Sequence, residues 1–247
     1  MRFFYVRILL FILVYAILRC AFAYIEQTME MKFRTLLICI ATLLLFSCKE
    51  GQKLDSRNGF AVVPAVAKGE AVATFAGGCF WAMQECMVEL KGVHKVISGY
   101  AGGSTKNPSY EDVLTKTTGH AESVQVYYDP KILPYKKLAE AFFHSHDPTQ
   151  VDGQGPDLGS DYRSIAFYRS NQEYNDLQEL TGVIGNELGR PIATELVPFE
   201  VFYPAETHHQ DYYKRSSWEP YIRNVSRPKV LKLRKSMPEL IKSEYKD

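Results

Sequence analysis

The stretch FAGGCFWAMQEC, Phe75 to Cys86, contains the two cysteines that lie beyond the first fifty residues of the chain. A cysteine behind Gly77-Gly78 has a backbone free to turn sharply and a sulfur left open to approach. Residues 70–76, EAVATFA, are apolar and rich in strand formers, so they read as a buried strand. From Cys79 to Lys91 the spacing of Phe80, Met83, Met87 and Leu90 is helical. Cys79 therefore falls in the first turn of a helix, where the helix end favours negative charge. The expectation is a thiol of lowered pKa, present in part as thiolate and usable as a nucleophile. The alternative is a small apolar packing cysteine. Cys86 lies two turns further on, about 10 Å by helical rise, on the apolar side near Met83 and Met87. A disulfide needs Cα atoms within about 7 Å, so Cys86 reads as a buried packing thiol.

A second group with chemistry to offer is Glu122. It opens the run ESVQVYYD, in which Glu122, Val124, Val126 and Tyr128 share one strand face. A carboxyl at the end of a buried apolar face is desolvated, which raises its pKa and keeps it protonated near neutrality. Such a group can donate a proton. On composition alone, an exposed strand-end glutamate is the plainer reading. His120, His146 and His209 together with the cysteines raise the idea of zinc. Neither Cys-x-x-Cys nor His-Glu-x-x-His spacing occurs, so no metal site is expected and the histidines are taken as structural or supporting.

The elements that position these residues belong to a chain of 247 residues, 46% hydrophobic and 13% aromatic, with formal net charge +1. That suffices for one domain with a full core, and it gives no electrostatic reason to expect a nucleic-acid partner. Cys20, Cys39 and Cys48 sit in apolar surroundings near the N-terminus, which does not suit a disulfide-stapled fold. Two apolar runs lie there, Ile8–Ala23 and Met31–Cys48. The second has Lys32 and Arg34 ahead of its apolar stretch and a small residue before Cys48, the layout of a bacterial secretory signal. Its ending, LFSC, resembles a lipoprotein signal cut before Cys48, which would then carry lipid. An uncleaved anchor is the alternative. The first run is either a true membrane segment or an over-extended start, with translation beginning at Met29 or Met31. The expected organisation is a targeting segment (1–48), a flexible linker (49–69), a domain (70–228) and a solvated basic tail (229–247).

Seven motifs then occur in order: GCFW (78–81), GYAGG (99–103), NPSY (107–110), TGHAE (118–122), HDPTQ (146–150), QGPDLGSDYRS (154–164) and FYPAETHHQ (202–210). Together they make the chain resemble the peptide methionine sulfoxide reductase A family. The resemblance implies an α/β (α+β) fold, a two-layer sandwich around a mixed central sheet, ferredoxin-like. It implies reduction of the S-epimer of methionine sulfoxide, free or in proteins, by a cofactor-free monomer that a thioredoxin-like thiol regenerates. Cys79 matches the nucleophile, which becomes a sulfenic acid. Glu122 matches the proton donor, Tyr110 and Tyr162 the hydroxyls that hold the sulfoxide oxygen, Asp157 an acid near the same pocket, and Phe80 and Trp81 the walls that receive the methyl group.

The sequence also departs from that family. Many relatives carry a resolving cysteine near the C-terminus, and no cysteine follows Cys86 here. Either an external thiol reduces Cys79 directly or Cys86 resolves it. Gln84 stands where glutamate is common, and Ser160-Asp161 where threonine-glutamine is common, polar exchanges expected to change little. With the signal, the expectation is a lipid-anchored enzyme on the periplasmic side of a bacterial envelope. Two other classes compete: a cysteine hydrolase, which would need a base beside Cys79, and a non-catalytic envelope protein that binds methionine.

Overall fold

The computed structural model describes residues 56–246. The targeting segment and Cys48 lie outside the described residues. The first elements are two short strands, β1 (Ser56–Arg57) and β2 (Phe60–Ala61), joined by Asn58-Gly59 with both residues at positive φ, the signature of a tight hairpin turn. This corrects the expected flexible linker. The hairpin is docked on the domain, with Ala61 N–H donating to Ala205 O at 3.1 Å and Thr207 N–H to Gly59 O at 2.7 Å.

The body is a six-stranded mixed sheet in the order β10-β4-β5-β3-β8-β9. Its strands are β3 (Ala71–Gly77), β4 (Val93–Ala101), β5 (Ala121–Tyr128), β8 (Ser164–Tyr168), β9 (Glu195–Pro198) and β10 (Phe202–Pro204). All neighbours are antiparallel except β8 and β9. A separate hairpin pairs β6 (Gly153–Gln154) with β7 (Asp157–Leu158). Alternation along β5 sends Val124, Val126 and Tyr128 to the helical side and Tyr127 to the other. On the helical side lie α1 (Phe80–Val88), α3 (Tyr135–Ser145), α4 (Asn171–Leu188) and α6 (Arg227–Ser236). Two short helices, α2 (Tyr110–Leu114) and α5 (Tyr212–Arg215), border the site. The opposite face is smaller; Ile97, Ile165, Phe167 and Phe202 pack there with Ala61 of the leading hairpin. The arrangement is the two-layer α/β sandwich around a mixed sheet that the motifs implied.

The segment expected to be a solvated basic tail is part of this core. Val230, Leu233, Met237 and Ile241 are buried, and Leu90 forms a β-bridge with Ile241. Arg234 holds Glu89 through two 2.8 Å hydrogen bonds. The basic side chains of the helix surface had hidden its apolar spacing. Among the described residues no helix is long and apolar enough to cross a membrane.

Candidate active site

The antiparallel register between the two central strands assembles the site. Phe75 of β3 pairs with Val124 of β5, so two residues further along each strand Gly77 and Glu122 reach the same end of the sheet. The chain then turns at Gly78, φ +81°, and enters α1 with Cys79 as its N-cap residue. Glycine is required at both positions for different reasons. A methyl at Gly77 would overlap Met83, and one at Gly78 would need positive φ and would lie 2.5 Å from Gln154 Cβ. Glu122 Oε2 accepts the Phe80 N–H at 2.9 Å. The carboxyl thereby satisfies a free N–H of the helix start and is fixed beside Cys79.

Both groups are buried, Cys79 at 4% and Glu122 at 2% exposure. Burial, with Asp161 and Asp157 nearby, raises the Glu122 pKa to about 8, so the carboxyl holds its proton at neutral pH. For Cys79 the expected direction is reversed. Burial first, and then the charge of Glu122, push the thiol up to about 12, against hydrogen bonding with the Tyr221 hydroxyl and the Trp81 N–H and the charge of Lys229. A helix N-terminus contributes about 0.3–1 kcal/mol, less than one power of ten in ionisation. Full desolvation moves an ionisation constant by several powers of ten, and here it wins. In the resting protein the sulfur is a thiol.

Around this pair stands an aromatic enclosure. Phe80 is fully buried, 5.9 Å from Tyr100 and 5.3 Å from His209 between ring centroids. Trp81 stacks on Tyr212 at 4.0 Å and donates Nε1–H to His209 Nδ1 at 3.3 Å. Phe80 thus backs the enclosure, while Trp81 is a partly open wall. Tyr110 begins α2, which a Ser109–Asp112 capping box starts. Its hydroxyl is hydrogen-bonded to that of Tyr162, which closes a short 3₁₀ turn, Ser160–Tyr162. Glu206 fixes both neighbours, accepting from Tyr110 N–H at 2.9 Å and from Tyr100 Oη–H at 3.0 Å. Asp157 reaches the site through Tyr221, whose hydroxyl donates to Oδ2 at 2.8 Å. Cys79 and the six residues singled out around it in the sequence therefore meet at one enclosure, Asp157 through Tyr221.

The histidines hold loops. His120 Nδ1 accepts from Gly103 N–H at 3.1 Å, and His146 lies 2.7 Å from Ser164 Oγ and 2.8 Å from Phe142 O. Burial lowers His146 to about 3 and His209 to about 4, so both are neutral. No group of three His, Cys, Asp or Glu able to hold a metal occurs among the described residues. Gln84 and Gln210 clamp the FYPAETHHQ loop. Gln84 donates to Val96 O at 2.9 Å and accepts from Asp211 N–H at 2.8 Å, using both ends of its amide as a carboxylate could not. Asp161 is buried with neither carboxyl oxygen hydrogen-bonded, so the exchange at this position places a second acid near Glu122.

The comparisons with known proteins decide what such a site belongs to. Residues 71–240 match the family model described as peptide methionine sulfoxide reductase. The chain belongs to the peptide methionine sulfoxide reductase family. It is 45% identical over 171 residues to the peptide methionine sulfoxide reductase MsrA of Saccharolobus solfataricus, covering 69% of this chain and 97% of that one. It is 46% identical over 173 residues to the MsrA of Thermus thermophilus, covering 70% and 98%. Among solved structures, reduced Mxr1 from Saccharomyces cerevisiae superposes with a TM-score of 0.59 at 29% identity, covering 69% of this chain and 93% of that one. The protein is a peptide methionine sulfoxide reductase, an oxidoreductase that returns methionine sulfoxide to methionine. The hydrolase reading has no support in the site either, since the neighbour held beside Cys79 is an acid.

Sequence reasoning missed Tyr221, Lys229 and Glu206. Lys229 opens the segment taken for a tail, and Tyr221 lies just ahead of it, near the end of the expected domain. Pro228 at the start of α6 and the spacing of Val230, Leu233 and Met237 were the available signals of a packed helix.

Proposed function

We propose that Cys79 is the nucleophile and Glu122 the proton donor in reduction of the S-epimer of methionine sulfoxide. The observation that carries this reading is Glu122 Oε2 held at 2.9 Å from Phe80 N–H, next to Cys79 and protonated at neutral pH. Cys79 sulfur bonds to the sulfoxide sulfur while Glu122 gives its proton to the sulfoxide oxygen. The oxygen then passes to Cys79, the thioether leaves as methionine, and the thiol proton restores Glu122. Two electrons leave the cysteine sulfur and enter the substrate sulfur, and Cys79 ends as sulfenic acid. The hydroxyls of Tyr110 and Tyr162 hold the oxygen as negative charge builds on it. Phe80 and Trp81 receive the methyl group, and Asp157 orients Tyr221 on the sulfur.

A dithiol such as thioredoxin then reduces the sulfenic acid, acting on Cys79 itself because Cys86 is buried in the core. The domain is anchored by lipid at Cys48 on the extracytoplasmic face of a bacterial envelope, a reading supported by the Met31–Cys48 sequence. The deciding experiment offers both epimers of a methionine sulfoxide peptide with dithiothreitol, followed by mass spectrometry of Cys79 trapped with dimedone. Turnover of the S-epimer alone and a dimedone adduct on Cys79 are expected. Equal rates on the two epimers, or an adduct elsewhere, overturn the assignment. For the anchor, Cys48→Ala is expected to abolish lipid labelling, and an unmodified Cys48 in the native protein ends that proposal.

A further inference from the structure

The C-terminal helix brings into the site one charged group that the chemistry above does not use. Lys229 Nζ is shielded from solvent and has no hydrogen-bond partner. Its nearest anion is Asp157 Oδ2 at 3.6 Å, beyond hydrogen-bond reach. The ammonium sits over the residue that precedes the cysteine, for a Cβ at Gly78 would stand 3.4 Å from Nζ. Burying an ammonium without hydrogen bonds is costly. Such a cost is retained where the charge has work to do that the resting protein does not display, because a preorganised donor aimed at developing charge needs no rearrangement during reaction.

The groups around Cys79 show what that charge can act on. Glu122 faces the sulfur from β5, Tyr110 from α2, Tyr162 from the 3₁₀ turn and Tyr221 from the segment leading into α6, with Asp157 of β7 behind Tyr221. None of these is a cation. Lys229 favours the ionised form of Cys79, and it acts in the same direction on Cys86 and Glu122. Tyr221 links the two, donating to Asp157 at 2.8 Å while its hydroxyl is hydrogen-bonded to the thiol.

We propose that Lys229 is a positioning residue that supplies the counter-charge for Cys79, as thiolate when the sulfur attacks and as sulfenate when the oxidised sulfur has given its proton to water. With Tyr221 touching the sulfur, Lys229 stabilises the anion through space. The device suits a site whose other described cysteine, Cys86, is buried in the core, because an oxidised Cys79 beyond its reach waits for an external thiol. The proposal rests on Cys79 being the nucleophile.

The test uses the described domain within the full chain and three variants, Lys229→Met, Lys229→Gln and Lys229→Arg. Alkylation of Cys79 by iodoacetamide is followed against pH by mass spectrometry of its peptide. Dimedone trapping is followed against delay after one equivalent of a methionine sulfoxide peptide. The neutral variants are expected to alkylate about tenfold more slowly at a given pH, with the profile moved upward, and Arg to restore the wild-type profile. The sulfenic acid should be lost sooner in the neutral variants. Should the Met variant fail to fold, Gln keeps most of the stem and a polar tip and is read in its place. Unchanged alkylation profiles in the neutral variants, or an Arg variant as slow as Met, overturn the role of Lys229. A wild-type protein that gives no dimedone adduct on Cys79 instead overturns the nucleophile assignment.

Discussion

Helix α1 has buried ionisable groups at both ends, and the protein treats the two ends in opposite ways. At the C-terminal end Glu89, 0% exposed, is held by both arms of Arg234 at 2.8 Å. Lys242 donates Nζ–H to Val88 O at 2.6 Å, and Lys214 donates Nζ–H to Tyr245 Oη at 2.9 Å. At the N-terminal end Lys229 makes no hydrogen bond, Cys79 is a thiol pushed up to about 12, and Glu122 is an acid raised to about 8. One helix, α6, serves both ends, placing Lys229 at one and Arg234 at the other. A buried charge with every partner in place fastens the C-terminal segment to the core. A buried charge left short of partners marks where new charge is to appear. The difference is one of satisfaction rather than burial, since the groups at both ends are largely shielded.

The comparison breaks most sharply at Arg234. Arg234→Met leaves the Glu89 carboxylate buried without its partner, which costs about 3–5 kcal/mol. Urea unfolding should show that loss at unchanged slope. Lys229→Met removes a buried ammonium that has no hydrogen bond to lose, so it should cost no stability while Cys79 ionisation changes. Equal losses from the two substitutions would mean that both ends of the helix are structural.

Glu122 sharpens the same contrast through pH. Its pKa is raised from 4.5 to about 8. The folded protein thus keeps a proton that the unfolded chain releases near 4.5, and stability falls as pH rises across that window. Glu122→Gln keeps an oxygen to accept the Phe80 N–H and has no proton to release. Above pH 8 it should exceed wild type by about 2–4 kcal/mol. Its reductase rate should drop about 100-fold, and the wild-type rate should itself decline above pH 8 as the donor ionises. Without the Glu122 charge, Cys79 should alkylate faster than wild type at pH 9–10. A variant that loses activity but gains no stability at high pH would show that Glu122 is not protonated in the folded protein.

Much of this contrast was legible in the sequence at one end only. Gly77-Gly78, the strand before them and the helix after them read directly, because glycine at a turn and a 3.6-residue apolar period are local signals. Glu122 could be placed on the face of Val124 and Val126 from alternation alone. The proximity of Cys79 and Glu122 depends on the register of β3 against β5, which local pattern does not specify. The thiol went the wrong way for a related reason: the helix end is local, but desolvation comes from what the rest of the chain lays over it. Lys229 was hidden by composition, since Lys229, Lys232, Arg234 and Lys235 made a packed helix look like a solvated tail, and Tyr221 was one of sixteen tyrosines with no local signal to single it out. The Asn58-Gly59 hairpin was likewise a standard turn signal passed over within a polar segment.

Cys86 offers the smallest and most discriminating effect. It is 1% exposed in the α1 core, and burial together with Glu89 and Glu85 pushes its thiol well above the usual cysteine range. A thiol must ionise to attack a sulfenic acid, and this one would have to leave the core and unwind the start of α1 to reach Cys79. Cys86→Ala removes one sulfur and leaves a void about the size of a methyl group, a stability loss of about 1 kcal/mol. Steady-state reduction of a methionine sulfoxide peptide should stay within about twofold of wild type, both with dithiothreitol and with thioredoxin as donor. The two donors separate the alternatives. Dithiothreitol can enter where a protein cannot, so a variant that cycles with dithiothreitol but stalls after one turnover with thioredoxin would make Cys86 the resolving thiol. It would also mean that the N-terminal turn of α1 opens during each cycle, at the end of the helix where the bonds are fewest.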